Sequence, residues 1–171
     1  MYEYAAYSLI ITISPLFIIM VIGCAMGETI ESILIIIPFM LIRKFSGGFH
    51  AKHAWVCMIS SCGILFLCVY IVAHIQYSIF INIIMICATI SLILLSPIDS
   101  ENRRLELSEI KKYKMTTIVM VMIFAIIYCL FLFINQKTYA ICIAEGAVLT
   151  AALQIPCMFE KMKLAGKSKR V

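Results

Sequence analysis

Charge is scarce in this chain. Only 13% of its 171 residues are Asp, Glu, Lys or Arg, against 64% hydrophobic residues, and the mean hydropathy is +1.07. That leaves too little polar surface to wrap a water-soluble core, so the composition excludes an ordinary soluble globular domain and places the chain in a bilayer. Eight cysteines are present but no C-x-x-C pair, which removes the usual paired-thiol metal and redox motifs. No cluster of basic residues is interleaved with aromatics, so the net charge of +5 reads as membrane topology and anionic-lipid contact rather than nucleic-acid binding. Internal repeats and low-complexity tracts are absent. Residues 1–10, MYEYAAYSLI, lack a basic n-region and no small-residue cleavage site ends the first apolar stretch, so the first span is expected to be retained.

What is present is a series of apolar runs: Ala5–Met26, Ile30–Ile42, Ala54–Ala73, Tyr77–Leu95, Met115–Ile134 and Tyr139–Met158. A hydrocarbon core of about 30 Å takes roughly 20 helical residues to cross, and its backbone groups must be satisfied within the segment. The runs therefore predict an all-α integral membrane protein of about six transmembrane helices, forming one polytopic domain over residues 1–171. The second run is short. As a helix, Ile30–Ile42 would rise only about 20 Å, which leaves two alternatives: the Glu28 and Glu31 turn is drawn into the interface, or the segment is partly re-entrant and the loop after Arg43 is sunk in the membrane.

The basic residues orient the bundle. With a cytoplasmic N-terminus, Arg43, Lys44 and Lys52, then Arg103, Arg104, Lys111, Lys112 and Lys114, then Lys161, Lys163, Lys167, Lys169 and Arg170 fall on the inner side, and Lys137 alone falls outside. The positive-inside bias requires this distribution. A multi-pass protein of the cell membrane is expected, with both termini and the loop between the second and third spans facing the cytoplasm.

That loop carries the densest chemistry of the chain, RKFSGGFHAKHAWVCMISSC at 43–62. Gly47 and Gly48 admit backbone conformations that a Cβ forbids and free N–H groups to face a ligand. His50 and His53 are bases near neutral pH, and Cys57 is a nucleophile wherever a neighbour stabilises its thiolate. On an unbroken helix His53 and Cys57, four apart, lie within side-chain reach, whereas His50 and Cys57, seven apart, are about 10 Å apart along the axis and meet only if the loop folds back. Spacing alone does not choose between them. A metal site on His50, His53 and Cys57 lacks a fourth ligand at suitable spacing, and no metal or cofactor is expected. A plain turn with interfacial histidines and a filler cysteine is the remaining reading. The cysteines inside apolar runs, Cys24, Cys68, Cys87, Cys129, Cys142 and Cys157, read as small hydrophobes, and a cytosolic setting argues against a Cys57–Cys62 disulfide.

The string RKFSGGFHAKHAWVC, with Arg43, Gly47, Gly48, His50 and Cys57 in that register, resembles the signature of the accessory gene regulator B (AgrB) family of membrane cysteine endopeptidases. SPIDSENRR at 96–104 is similar to that family's proline–acidic–basic loop after the fourth span. The resemblance implies that His50 is the catalytic partner of Cys57. It further implies that the chain cuts the C-terminal side of a quorum-sensing signal-peptide precursor, closes the product into a thiolactone or lactone, and acts as a homodimer. Asp99 is the candidate to orient the imidazole, because the topology sets it on the cytoplasmic side while Glu28, Glu31 and Glu145 lie at or nearer the opposite face; its alternative role is to cap a helix starting near Asn102. Arg43, Ser46, Gly47 and Gly48 are candidate supporting residues. Two other classes are weighed: a non-catalytic peptide exporter, which would be expected to carry charged or polar residues within its spans, where Asn82 and Glu145 are nearly alone, and a membrane scaffold or sensor, which would not need the His/Cys pair; Cys57→Ala separates both from a peptidase.

The charge census makes the topology testable with a membrane-impermeant thiol reagent on intact cells. Engineered cysteines at Ser100 and Ser168 are expected to stay unlabelled and one at Lys137 to react; the reverse pattern would turn the protein over and move the 43–62 loop outside.

Overall fold

The computed structural model describes the backbone of residues 2–46, 54–97 and 107–168, and side-chain surroundings within 14–46, 60–97 and 110–156. Among these residues every regular element is a helix: α1 (Tyr2–Met26), α2 (Thr29–Ser46), α3 (Ala54–His74), α4 (Ile79–Leu95), α5 (Leu107–Phe133) and α6 (Lys137–Ser168). Two of them contain stretches long and apolar enough to cross a membrane by that measure alone, Ile110–Phe133 in α5 and Lys137–Pro156 in α6. Ser14–Met26, Ser60–His74 and Ile79–Leu95 are shorter apolar stretches. Large apolar side chains face outward from these helices, with Phe17 and Phe80 each 69% exposed and Leu94 71% exposed. In water such a surface would aggregate; in hydrocarbon it is the ordinary lipid-facing side.

Several helices run further than the apolar runs do. α2 spans 18 residues, a rise of about 27 Å, because it takes in Thr29 at one end and Arg43 to Ser46 at the other. α5 begins at Leu107 within LSEIKKYK, and α6 continues through the basic stretch to Ser168. Glu, Lys and Leu are good helix formers, so the backbone ladder continues where hydropathy falls.

Two tight turns share one geometry. At the end of α1, Gly27 takes a positive φ of 77°, the Glu28 N–H donates to the Gly23 carbonyl at 2.9 Å and the Gly27 N–H to the Cys24 carbonyl at 3.4 Å. At the end of α5, Asn135 takes φ 64°, with Gln136 donating to Phe131 at 2.9 Å and Asn135 to Leu132 at 3.1 Å. Both are Schellman closures, which satisfy helix-end carbonyls and need a residue tolerant of the left-handed region. The Glu28 carboxyl in the first turn has its pKa raised by burial and by its neighbour Glu31, with which it also shares a hydrogen bond.

The turns fix helix direction. The α1–α2 and α5–α6 hairpins are antiparallel, and the Phe45 ring at the end of α2 lies 6.2 Å from that of Tyr113 near the start of α5, so α2 and α6 run parallel. Asn82 near the start of α4 accepts hydrogen bonds from Tyr77 at 2.8 Å and from Tyr128 late in α5, so α4 runs parallel to α6 as well. The bundle thus has a turn end, holding Gly27, Asn135 and Lys137, and a loop end, toward which α2, α4 and α6 all point.

α6 is the central helix. It packs most extensively against α2, then α4 and α5, and more lightly against α3, while α1 lies against α2 and α3. Its packed face is built from small residues: Ala140, Cys142, Ala144, Gly146, Ala147 and Thr150 are all buried. Lipid offers no hydrophobic drive for helices to associate, so close approach has to be supplied by side chains that take little room. A Cβ on Gly146 would stand 2.5 Å from the Ile35 carbonyl oxygen and 2.6 Å from Pro38 Cγ, so the α2 and α6 backbones nearly touch there. Pro38 removes one helical N–H from α2 and is itself fully buried. Gly23 approaches the Ser32 side chain in the same way, and Ser32 Oγ donates back to the Glu28 carbonyl at 2.7 Å.

The contrast with Gly63, around which no atom lies within 4 Å of a built Cβ, gives a paired prediction. Gly146→Ala should destabilise by about 1–3 kcal/mol through overpacking against fixed backbone, partly offset by a helix-propensity gain of up to ~1 kcal/mol, and Gly146→Leu should prevent assembly. Gly63→Ala should be neutral or slightly stabilising. Thermal unfolding of detergent-solubilised protein is the measurement, and equal behaviour of the two alanine variants would remove the close α2–α6 contact.

Candidate active site

The sequence-predicted site residues divide into those the structure describes and those outside it. Arg43 and Ser46 occupy the last turn of α2. Ser46 is fully buried, and the Arg43 guanidinium carbon stands 5.3 Å from the centroid of the Phe39 ring, a cation–π distance that lays the side chain along α2. Lys44 Nζ is 5.7 Å from the Phe45 ring centroid, and Phe45 in turn meets Tyr113. This aromatic contact joins the end of α2 to the start of α5. Cys57 lies in the first turn of α3, which begins at Ala54; the described residues do not include its side-chain surroundings. Gly47, Gly48, His50, His53 and Asp99 lie outside the described residues.

The described helix ends on either side of these residues fall at one end of the bundle. Ser46 ends α2 and Ala54 starts α3 at the loop end, and Ser96 and Leu107 bracket the second connection at that same end. The described ends of these helices thus share the end of the bundle where Arg43, Lys44, Lys111, Lys112 and Lys114 lie, while Lys137 sits at the turn end. The clustering of described basic residues matches the charge pattern from which the orientation was read.

A polar feature that sequence reading missed lies at this level. Gln154 is fully buried in α6, and its Nε2 donates to Ser96 Oγ at 2.8 Å. Ser96 is the C-cap residue of α4, with its own N–H donating to the Leu92 carbonyl. The signal available was a single Gln inside the last apolar run. Deeper in the bundle, the Cys68 thiol of α3 hydrogen-bonds to Glu145 of α6, and Tyr77 and Tyr128 share Asn82. Other buried hydroxyls return to their own helices: Thr117 bonds the Tyr113 carbonyl at 2.9 Å and Thr150 that of Gly146 at 2.9 Å. They need no partner across the bundle.

A groove of about 560 Å³ between α1 and α3 is lined by Phe17, Ile18, Val21, Ile22, Cys62, Gly63 and Phe66. It offers no charged or hydrogen-bonding side chain to orient a substrate, and Cys62 faces it. Cys62 is thus turned toward α1.

The model of the accessory gene regulator B family (AgrB) matches residues 1–155, nearly the whole chain and all of the segment between Arg43 and Arg104. The chain belongs to the AgrB family. No curated protein and no solved structure matches it. AgrB membership carries a role in the accessory gene regulator quorum-sensing system, in the processing of its signal-peptide precursor. Two helices apolar enough to span and a lipid-type outer surface accord with a membrane protein of that family.

Proposed function

We propose that this AgrB protein is a single-domain, six-span membrane cysteine endopeptidase that cuts the C-terminal part of a signal-peptide precursor and promotes ring closure of the product. The observation that carries the reading is the Gly-Gly-x-His-x6-Cys register of Gly47, Gly48, His50 and Cys57 within a chain matched by the AgrB family over residues 1–155. Its setting supports it. Cys57 lies in the first turn of α3, where backbone N–H groups lack intrahelical acceptors and the helix dipole favours an anion, an environment that stabilises a thiolate. Chain length supports the pairing too: His50 is four residues from Ser46 and four from Ala54, so covalent geometry holds it within about 14 Å of both helix ends.

In this mechanism His50 takes the Cys57 proton, and the thiolate sulfur attacks the scissile carbonyl. The tetrahedral intermediate collapses to a thioester acyl-enzyme as the C–N bond breaks, and the imidazolium passes its proton to the leaving amine. A Cys thiol or Ser hydroxyl of the bound peptide then attacks the thioester, forming the ring and returning Cys57. Exchange of one thioester for another is nearly neutral in energy, so closure to a thiolactone requires no cofactor at this step but does require that water be kept out. A site at the membrane surface beside an apolar bundle suits that need. Asp99 is assigned the orientation of the imidazole, and Arg43, Ser46, Gly47 and Gly48 the shape of the loop. Both termini and the site face the cytoplasm, and the protein acts as a homodimer.

Substitution separates the roles. Cys57→Ala should abolish processing, and His50→Ala should lower it at least ~100-fold, the usual weight of a general base, with His53→Ala costing far less. A larger loss at His53 would favour the four-residue helical spacing instead. A precursor whose ring-forming Cys is replaced by Ala should accumulate a hydroxylamine-sensitive adduct on Cys57 or yield a linear peptide, with its C-terminal tail still released. Efficient cleavage by Cys57→Ala would exclude a cysteine nucleophile.

A further inference from the structure

Asn82 is the only amide or charged residue in α4, IFINIIMICATISLILL. It sits one turn in from the start of that helix, at the turn end, and is half-buried. Its Oδ1 accepts the hydroxyl of Tyr77 at 2.8 Å and that of Tyr128 from α5. Two donors use both lone pairs of that oxygen and fix the plane of the amide. The Nδ2 donors on its other side have no acceptor among the described residues. A polar group held in an apolar span with its donors unmatched is costly, and in a membrane such a residue marks a site.

Tyr77 joins this amide to a cation. The Lys137 ammonium stands 5.6 Å from the centroid of the Tyr77 ring, a cation–π distance, while the hydroxyl of the same ring holds Asn82. The left-handed turn at Asn135 delivers Lys137 to this position as the first residue of α6. Lys137 is exposed, and among the described residues it is the only Lys or Arg at the turn end. Large apolar side chains of α4 and the end of α5 face outward at the same level: Phe80 is 69% exposed, Phe133 90% and Ile134 63%. A lysine that served only to anchor the bundle at the interface would need water for its head group, but neither a ring beneath it nor an amide held ready beside that ring.

We infer that Tyr77, Asn82 and Lys137 form a binding site for the phosphate of an anionic phospholipid in the leaflet at the turn end. The ammonium meets the phosphate charge, the Asn82 amide donates to a phosphate oxygen, and the acyl chains lie along the outward apolar surface of α4 and the end of α5. One cation matches the single negative charge of a phosphodiester. The acyl chains distinguish this ligand from free phosphate, and a choline head group would set a second cation against Lys137. The many basic residues of the loop end attract anionic lipid through a diffuse field, whereas here the donors are held by two tyrosine hydroxyls and a ring. None of these residues belongs to the proposed peptidase site, so the inference stands apart from that reading.

Native mass spectrometry of the purified full-length protein in neutral detergent tests this, with dioleoyl phosphatidylglycerol or dioleoyl phosphatidylcholine titrated in. One phosphatidylglycerol should bind ahead of any other, and phosphatidylcholine about fivefold more weakly. Lys137→Gln should weaken that first site about fivefold, the weight of one basic residue at an anionic surface. Asn82→Asp keeps the oxygen that the tyrosines use and replaces the donor by a second oxygen, so it should weaken binding about tenfold, as loss of a hydrogen bond to a charged group does. Lys137→Arg, and Lys114→Gln at the loop end, should bind as the unmodified protein does. Thermal unfolding in the same detergent should move upward with phosphatidylglycerol and stay in place with sodium phosphate. Unchanged first-site affinity in Lys137→Gln or in Asn82→Asp, or equal affinity for phosphatidylcholine, overturns the site. A loss in Lys114→Gln equal to that in Lys137→Gln reduces the binding to total charge and overturns it as well, and an equal upward move with sodium phosphate assigns the donors to the free anion and overturns the lipid.

Discussion

The close approach of α2 and α6 at Gly146 is the constraint on which the rest of the bundle depends. A glycine on one helix and a buried proline on the other bring two backbones together, and lipid cannot compete for a surface with so few protruding atoms. Once the two helices are parallel and in register, the positions of the others follow. α1 is carried by the tight turn at Gly27, α5 by the turn at Asn135, and α4 is held beside α6 by Ser96 and Gln154 at one end. The same register sets the end of α2 and the end of α4 at the same end of the molecule.

Polar groups in the interior follow one economy with a few departures. Ser32, Thr117 and Thr150 spend their hydroxyls on carbonyls of the preceding turn or linker, which leaves the helices smooth enough to pack. Asn82, Glu145 and Gln154 cannot do so and are matched across the bundle by tyrosine, cysteine and serine respectively. Such interhelical bonds each contribute on the order of 1 kcal/mol in a membrane setting, so their value lies in fixing which helix faces which and at what height.

The six helices were legible because an apolar run of the right length has little choice but to become one. Their ends were not. LSEIKKYK reads as linker by hydropathy, yet its Glu and Lys residues sustain the helix of α5, and the last apolar run stops near Met158 while α6 continues to Ser168. The brevity of the second run likewise reflected where charge begins, since α2 takes in Arg43 and Lys44 and reaches 18 residues. For the candidate site, the residue types of the 43–57 string and their register were visible in sequence, whereas Gln154 was not. A lone amide in an apolar run carries no spacing signal, and its meaning depends on a serine 58 positions away that only the packing of α4 on α6 reveals.

That the central helix is the last of the six has a consequence for biogenesis. As the chain emerges in order, α2 enters the membrane before the glycine that will meet Ile35 and Pro38 is made, and α4 arrives before the amide that will meet Ser96 exists. Neither helix has its main partner until α6 is made. The first five helices can insert one by one, and α2 and α4 gain their most extensive packing only when α6 arrives. A ribosome that stalls before Lys137 leaves α1 to α5 with only their lighter mutual contacts, and such fragments expose the faces of α2 and α4 that α6 would cover.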